Sequence, residues 1–216
     1  MDLAAVLDSL GAVTGGLSDE EAASRLEHYG PNTLPRREPP SLVEIMLRQF
    51  RSPLIYLLAI AAAVSLVIGE VKDAAFIMGV LLINAIIGTI QEARAEKASL
   101  ALQQLLRIRA AVRRSERVLD VDAETLVPGD VVYLESGNRV PADIRLIAAH
   151  GLEVDESLLT GESLPVTKLA DWSGAPGTPL ADRLNMLHAG AMVARGRCHG
   201  AVVATGADSA IGSLAL

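Results

Sequence analysis

The sequence has a single cysteine, few aromatic residues and no excess of positive charge. Cys198 is the only thiol among 216 residues, so no disulfide can form within the chain, and a reducing cytosolic environment fits. Aromatic residues make up 3% of the chain although 50% of it is hydrophobic, so the apolar content consists mainly of Ala, Leu, Val and Ile. The formal net charge of −7 argues against a general nucleic-acid binder.

Two further features are missing from the sequence. No run of basic residues precedes an apolar stretch at the N-terminus, so we expect no cleavable signal peptide. No cluster of metal ligands is visible, because the four histidines are dispersed and each is better explained as a surface or core residue. These histidines are His28, His150, His188 and His199.

Much of the apolar content lies in two uncharged blocks. Residues 53–69 read PLIYLLAIAAAVSLVIG and residues 74–90 read AAFIMGVLLINAIIGTI, each about the minimum length that crosses a bilayer. The basic residues that flank them are Arg36, Arg37, Arg48 and Arg51 before the first block and Arg94 and Lys97 after the second. This distribution predicts that both flanks are cytoplasmic. The alternative is two buried helices of a soluble protein, although a single domain of this size rarely buries both.

Helix signals surround these blocks. Ser18 followed by Glu21, and Ser41 followed by Glu44, are capping patterns that predict helix starts. Segment 1–40 has a helical pattern followed by a Pro-rich linker. Taken by itself, this pattern favours a small interaction module with no catalytic role. Residues 41–52 form an amphipathic segment that suits a membrane surface, with a soluble surface helix as the alternative. Residues 91–107 contain no Gly or Pro and predict a stalk that continues the second block as one rod.

The remainder of the chain, residues 108–216, has the pattern of short strands separated by Gly and Pro turns. Ser115-Glu116 is flanked by two strand-like segments and predicts a hairpin. Further strands are predicted over 131–135, 140–148, 189–194 and 201–205, with a turn at Arg195-Gly196-Arg197 between the last two. Residues 171–182 are rich in Pro and Gly and predict a surface loop. The pattern suggests a compact sandwich or a distorted jelly roll.

The candidate chemistry lies in the stretch VDESLLTGESLPV, residues 154–166. At its centre, Gly161 allows a sharp turn, and the hydroxyl side chains of Thr160 and Ser163 can bond nearby amides and hold that turn. Glu162 is then carried at the tip of a stiff loop. An ordinary polar β-turn is the alternative, which the tetrapeptide alone favours.

Several more motifs stand in the order and spacing of one family. VPGDVV (127–132), GNRVPADIRLI (137–147) and DESLLTGES (155–163) resemble the actuator domain of P-type cation-transporting ATPases. Residues 17–35 are similar to the N-terminal segment of that family, residues 84–98 to its second membrane helix and stalk, and residues 185–212 to the closing strands of the actuator. The resemblance covers nearly the whole chain. It favours the calcium-, sodium- and proton-pump branch, since the soft-metal branch usually carries Cys-rich metal-binding modules in front and this sequence shows none.

The resemblance implies a mechanism. In this family ATP phosphorylates an aspartate in a separate domain, and the actuator then rotates its TGES loop onto the aspartyl phosphate. The motif match implies that Glu162 positions and deprotonates the attacking water, with Thr160, Gly161 and Ser163 shaping the loop. Rotation couples hydrolysis to cation transport by re-packing the membrane helices. The implied partners are membrane lipid, the transported cation, and the phosphorylation and nucleotide-binding domains of the complete pump, which bind ATP and Mg²⁺.

The sequence contains no Asp-Lys-Thr-Gly phosphorylation motif and no phosphate-binding Gly-rich loop. We therefore expect the chain alone to be inactive and to be the N-terminal portion of an ATP-driven cation pump. The expected fold is membrane α+β: a two-helix transmembrane hairpin (53–69 and 74–90), an interfacial helix (41–52), a stalk (91–107) and a cytosolic β-rich domain (108–216) with N-terminal helices (1–40). We expect a multi-pass protein of the cell membrane, with its N-terminus and actuator domain cytoplasmic. The alternative is a truncated, non-catalytic membrane protein that binds or regulates a full pump.

Overall fold

A computed structural model describes residues 3–12, 15–34, 40–105, 108–162, 164–175 and 177–215, and of residues 100–105 and 215 it describes the backbone only. The described residues up to 34 and from 108 onward form one compact unit, called the β unit below. Residues 40–105 form a second, called the helical unit. The predicted Pro-rich linker at 35–39 lies outside the described residues, as do the last two residues of the predicted stalk, 106–107.

The helices are α1 (Leu3–Ser9), α2 (Asp19–Tyr29), α3 (Leu42–Gln49), α4 (Pro53–Ile68), α5 (Val71–Leu105), α6 (Ser157–Thr160) and α7 (Ala210–Ala215). The strands are β1 (Arg109–Arg114), β2 (Arg117–Asp122), β3 (Val131–Glu135), β4 (Asp143–Asp155), β5 (Val166–Thr167), β6 (Met186–Leu187) and β7 (Met192–Ala204). Of these, α3, α4 and α5 make up the helical unit, and all the others belong to the β unit.

The strands of the β unit form one antiparallel sheet. Their order is β2-β1-β3-β7-β4-β5, and β6 pairs with β4. The core packs apolar side chains that are almost fully excluded from water, among them Val112, Leu126, Val132, Ile144 and Leu146. The strand predicted over 131–135 coincides with β3. A β-rich domain is therefore present, whereas the jelly-roll arrangement stays a prediction.

The hairpin predicted around Ser115-Glu116 is confirmed. β1 and β2 pair along their full length, and the two turn residues have φ values of 48° and 63°. Two consecutive positive φ values are the geometry of a type I′ turn, whose twist matches that of the flanking strands. The N-terminal segment lies beside this turn, because Ser115 N donates to Leu17 O at 2.9 Å and Glu116 N donates to Gly15 O at 3.0 Å.

The turn predicted at Arg195-Gly196-Arg197 is wrong. In its place, β7 runs unbroken for 13 residues through this region. Gly196, with φ of 84°, lies opposite Gly151, with φ of 56°, where the register between β4 and β7 shifts. A glycine in a bulge permits close approach of two backbones, and from sequence alone it looks like a glycine in a turn.

The N-terminal helices are built into the β unit. Ser18 Oγ accepts from Glu21 N at 3.1 Å and starts α2 as predicted. Ala22 of α2 is buried in a small second core with Leu17 and Val127. On the same helix, Arg25 Nη1 donates to the carbonyls of Leu10 at 2.6 Å and Pro128 at 2.8 Å.

Asn32 fixes the end of this segment with its whole amide group. Its Nδ2 donates to Ala123 O at 3.0 Å and Pro141 O at 2.9 Å, and its Oδ1 accepts from Gly206 N at 2.8 Å. Its backbone N donates to Glu124 O at 2.9 Å. One side chain therefore joins three parts of the β unit that are far apart in sequence.

In the helical unit, α5 is a single helix of 35 residues, about 52 Å long at 1.5 Å per residue. The second apolar block thus continues into the stalk without a break. α4 ends at Gly69, which has left-handed backbone geometry, and a short turn leads into α5. α4 and α5 pack against one another, and α3 packs along α5.

Among the described residues, one helix is long and apolar enough to cross a membrane by itself, namely Val71–Ser99, whose most apolar stretch of 18 residues has a mean hydropathy of 2.0. α4 has 16 residues and reaches a comparable length only if α3 is counted with it, and these two helices are bent by 65° at their junction. The two-helix transmembrane hairpin therefore stays a prediction.

Candidate functional site

The segment 156–165, which contains Thr160-Gly161-Glu162-Ser163 and is called the TGES loop, follows directly from the end of β4. Asp155 closes the strand, and its Oδ1 accepts a hydrogen bond from Ser157 N at 2.9 Å, at the start of the single-turn helix α6. Bonds from the backbone and side chain of Ser157 favour the ionised carboxylate, and they lower the pKa of Asp155 below its usual value. This carboxylate therefore organises the entry to the loop.

Thr160 and Gly161 define the conformation of the loop tip. Gly161 N donates to Ser157 O at 2.9 Å and ends α6, and its φ of 75° lies in the left-handed region that favours glycine. The Thr160 hydroxyl donates to Glu156 O and accepts from Glu162 N, both at 3.2 Å. One hydroxyl thus fastens the residue before α6 to the residue after it, as the sequence predicted for a stiff turn.

Glu162 lies on the surface immediately after the left-handed glycine. The large apolar side chains nearest to it in sequence are also exposed, Leu158 by 68% and Leu164 by 80%. The fourth predicted site residue, Ser163, lies outside the described residues. The loop therefore presents a carboxylate between apolar side chains that the β unit itself does not cover.

A buried ion pair brackets the loop. Glu156 and Lys168 are exposed by only 1% and 0%, and Lys168 Nζ lies 2.7 Å from Glu156 Oε1, although the angle is not that of a hydrogen bond. Lys168 Nζ also donates to Arg183 O at 3.3 Å. A buried charge left without its partner is strongly unfavourable, so the pair holds the two ends of the loop together. Sequence reasoning missed it, since no spacing rule joins charges twelve positions apart.

Two other buried carboxylates hold the backbone of the β unit. Asp130 accepts from Arg114 Nε at 2.9 Å and Nη2 at 2.7 Å, and this hydrogen bonding raises the pKa of the guanidinium despite its partial burial. Asp143 accepts from Ala189 N at 2.9 Å and Ala210 N at 2.7 Å. Both carboxylates are thus engaged in structural contacts.

In the part of the chain that the structure describes, no group of three or more His, Cys, Asp or Glu side chains could hold a metal ion. His188 is buried near Asp143, with 3.7 Å between Nδ1 and Oδ1. His199 stacks on Tyr133 on the surface of the sheet, and its pKa is lowered by partial burial and by the nearby charge of Arg113. Neither histidine lies in the TGES loop.

Comparison with known proteins identifies the family. Residues 104–216 match the P-type ATPase actuator domain, and residues 1–65 match the Cation transporter/ATPase N-terminus. "Probable cation-transporting ATPase F" of Mycobacterium tuberculosis is 48% identical over 200 residues, which are 92% of this chain and 22% of that protein. "Cation-transporting ATPase pma1" of Synechocystis is 44% identical over 200 residues, again 92% and 22%.

A third relative, "Calcium-transporting ATPase 1" of Bacillus cereus, is 40% identical over 204 residues, which are 93% of this chain and 23% of that protein. The chain thus spans about a fifth of the length of the curated relatives it matches. The actuator match alone covers more than half of the chain and contains the TGES loop. By these matches, the chain belongs to the P-type cation-transporting ATPases.

Proposed function

We propose that this chain supplies the actuator domain and a membrane hairpin of an ATP-driven cation pump, in which Glu162 promotes hydrolysis of the aspartyl-phosphate intermediate. The observation that carries the proposal is the placement of Glu162. It is exposed directly after a left-handed glycine, on a loop whose ends are joined by the buried Glu156–Lys168 pair. A carboxylate held this way can approach a phosphorylated partner domain without rearrangement of its own support.

The chemistry requires one proton transfer. Glu162 takes a proton from a water molecule as the water oxygen bonds to phosphorus and the bond from phosphorus to the aspartyl oxygen breaks. The products are inorganic phosphate and a free aspartate carboxylate. Thr160 and Gly161 fix the direction of the base, and we include Ser163 in the same loop-shaping role. A positioned general base typically contributes about a hundredfold to ten-thousandfold.

The phosphorylation step belongs to other domains of the complete pump, which we propose bind ATP and Mg²⁺. They are the partners that the loop meets. The chain alone therefore is not expected to hydrolyse ATP. We also retain the distorted jelly roll as the proposed arrangement of the β unit.

For the helical unit we propose that α4 and α5 both cross the membrane, with α3 along its cytoplasmic surface. Support comes from exposed apolar side chains on both helices, such as Val67 (88%), Ile68 (71%) and Phe76 (74%). Six basic residues lie before α4 or after the apolar part of α5, namely Arg36, Arg37, Arg48, Arg51, Arg94 and Lys97, against Lys72 alone at the connection between the two helices. This excess favours a cytoplasmic location for both ends of the pair and for the β unit. The transported cation would cross among these and further helices of the pump.

The test of the catalytic role is Glu162→Gln in a complete pump that contains this segment. Phosphoenzyme formed with γ-labelled ATP and then chased should decay about a hundredfold to ten-thousandfold more slowly than wild type, while its formation is largely unchanged. The matched control is Glu153→Gln, since Glu153 is a neighbouring, partly exposed carboxylate of the same unit. Decay of the Glu162→Gln phosphoenzyme at the wild-type rate would reduce Glu162 to a turn residue.

A further inference from the structure

The helical unit contains an apolar groove of about 450 Å³ between α3 and α5. We infer that this groove binds an anionic phospholipid, with an acyl chain along its walls and the headgroup at its basic edge. The inference rests on the proposed membrane insertion of this unit. The volume is within the range of roughly 300–1,000 Å³ that is common for small-molecule sites.

The walls of the groove are apolar and open to the surroundings. Val43 and Met46 of α3 face Ile90 and Ala93 of α5 across it. The larger three of these side chains are 62%, 42% and 48% exposed, in the order Val43, Met46 and Ile90. Below the groove, Ile86 continues the exposed apolar surface of α5 with 57% exposure. An acyl chain in the groove therefore continues along the apolar surface of the same helix.

The edge of the groove is basic. Arg94 lies four positions after Ile90 on α5 and Lys97 three positions later, so all three share one helix face. Within the described residues, neither cation forms an ion pair. Glu92, the acidic residue that precedes Arg94 on α5, instead contacts the end of α3. It accepts a hydrogen bond from Gln49 Nε2 at 2.7 Å, and its Oε1 lies 3.9 Å from Arg48 Nη1. Glu96 stands between the two cations in the sequence but does not line the groove, so the groove edge itself carries only positive charge for a ligand.

α3 and α5 contact one another closely near Gln49 and Gly88, outside the groove. A Cβ at Gly88 would stand 2.9 Å from Cδ of Gln49, so the absence of a side chain at Gly88 lets the end of α3 approach α5. The bond from Gln49 to Glu92 fixes that end. The groove is lined by side chains of both helices elsewhere along the same interface.

The position along α5 identifies the kind of ligand. The groove lies where α5 changes from the apolar block 74–90 to a charged segment, which is the level of the headgroups if α5 crosses the membrane. An occupant must offer apolar bulk on one side and negative charge on the other. Anionic phospholipids satisfy both, and basic residues at this level attract them. A zwitterionic lipid fits the walls but leaves the edge without a net counter-charge.

The test uses the full chain in phosphatidylcholine vesicles that carry a minor fraction of phosphatidylglycerol with a photoreactive acyl chain. After illumination, mass spectrometry maps the labelled residues. Label should concentrate on the walls of the groove. Unlabelled phosphatidylglycerol should compete for this label, whereas added phosphatidylcholine should not.

Variants separate the two halves of the site. In the double variant Arg94→Gln, Lys97→Gln, the amount of groove label that unlabelled phosphatidylglycerol displaces should fall roughly tenfold. Ala93→Phe keeps both cations but fills the groove, and this variant should also lose most of the label. If the lipid were held only by attraction to the positive charge, Ala93→Phe would keep its label. The control Arg51→Gln removes a charge from the same end of the unit outside the groove, and should change the label less than about twofold.

Two failures have different meanings. A chain that does not float with the vesicles contradicts the proposed membrane insertion. A chain that floats but labels its groove no more strongly than the exposed surface around Phe76, or whose label phosphatidylcholine displaces equally well, contradicts the lipid site and leaves the membrane hairpin standing.

Discussion

The β unit and the helical unit use the same apolar residue types in opposite ways. In the β unit, Val112, Leu126 and Val132 are completely buried. In the helical unit, Val67 and Phe76 are 88% and 74% exposed. The β unit therefore carries its own hydrophobic core, whereas the helical unit presents most of its large apolar side chains outward.

The residues that the helical unit does bury show what holds it together. Among the residues whose side chains are described, they are Ile45 of α3, Ile55 and Ala62 of α4, and Ala74, Leu81 and Ala85 of α5, and three of the six are alanine. Small residues at helix contacts allow close backbone approach, which is typical of helices that pack within lipid, where burial of large apolar groups provides little driving force. The proposed membrane insertion thus implies that the two units depend on different surroundings for stability, and three experiments test this difference.

The largest expected effect is on chemical access across the membrane. Lys72→Cys, in the first turn of α5, should react with an impermeant thiol reagent added outside intact cells, and Ser115→Cys in the β unit should react only after permeabilisation. Cys198 gives a silent background, since burial raises the pKa of its thiol to about 12. The reverse labelling pattern would contradict the proposed topology.

The next effect concerns the charged pair inside the β unit. Lys168→Met leaves the buried Glu156 carboxylate without its partner and should lower the free energy of unfolding of this unit by about 3–5 kcal/mol. Denaturant titration followed by the fluorescence of Trp172, the single tryptophan, measures this change. Adding Glu156→Leu to Lys168→Met should recover most of the loss.

A surface pair is the control for this experiment. Arg195 is 77% exposed and lies 3.6 Å from Glu153. Arg195→Met should cost less than about 1 kcal/mol, because water screens exposed pairs. Equal losses in the buried and the exposed variant would show that the Glu156–Lys168 pair does not hold the loop.

The smallest of the three effects compares one apolar truncation in each unit. Leu146→Ala, in the core of the β unit, should cost about 2–5 kcal/mol through lost burial and the cavity left behind. Phe76→Ala, at a 74% exposed position, should leave the midpoint of thermal unfolding in detergent nearly unchanged. A large loss for Phe76→Ala would mean that this side chain packs within the protein and does not face lipid.

Local patterns in the sequence predicted much of this fold. The capping pairs at Ser18 and Ser41 start α2 and α3, and in each case the serine hydroxyl accepts from the backbone three residues later. In a capping box the glutamate side chain would bond back to the serine backbone. Here Glu21 instead pairs with Arg25, and Glu44 pairs with Arg48, both at 2.7 Å. Short-range signals thus located the helix ends, but the surroundings decided the side-chain partners.

Features that depend on distant parts of the chain could not be predicted. Asn32 reads as a turn residue between two helical segments, yet its partners lie 91 to 174 positions away. Gly196 reads as a turn residue in the sequence, because the residue opposite it, Gly151, is known only once the strands are paired. For the candidate site, the motif predicted the residues and the stiff turn at Thr160 and Gly161, while the ion pair that closes the loop emerged only from the three-dimensional structure.

The position of β7 has a consequence for synthesis. It lies between β3 and β4 in the sheet, yet it is the last strand of the sheet along the chain. At roughly 5–20 residues per second, a ribosome needs about 2–7 seconds to travel from the end of β4 to the start of β7. During that interval the nascent chain has β3 and β4 without the strand that joins them, and unpaired strand edges invite wrong partners. The β unit, which carries its own hydrophobic core once folded, therefore cannot complete its sheet until β7, a central strand, has been synthesised.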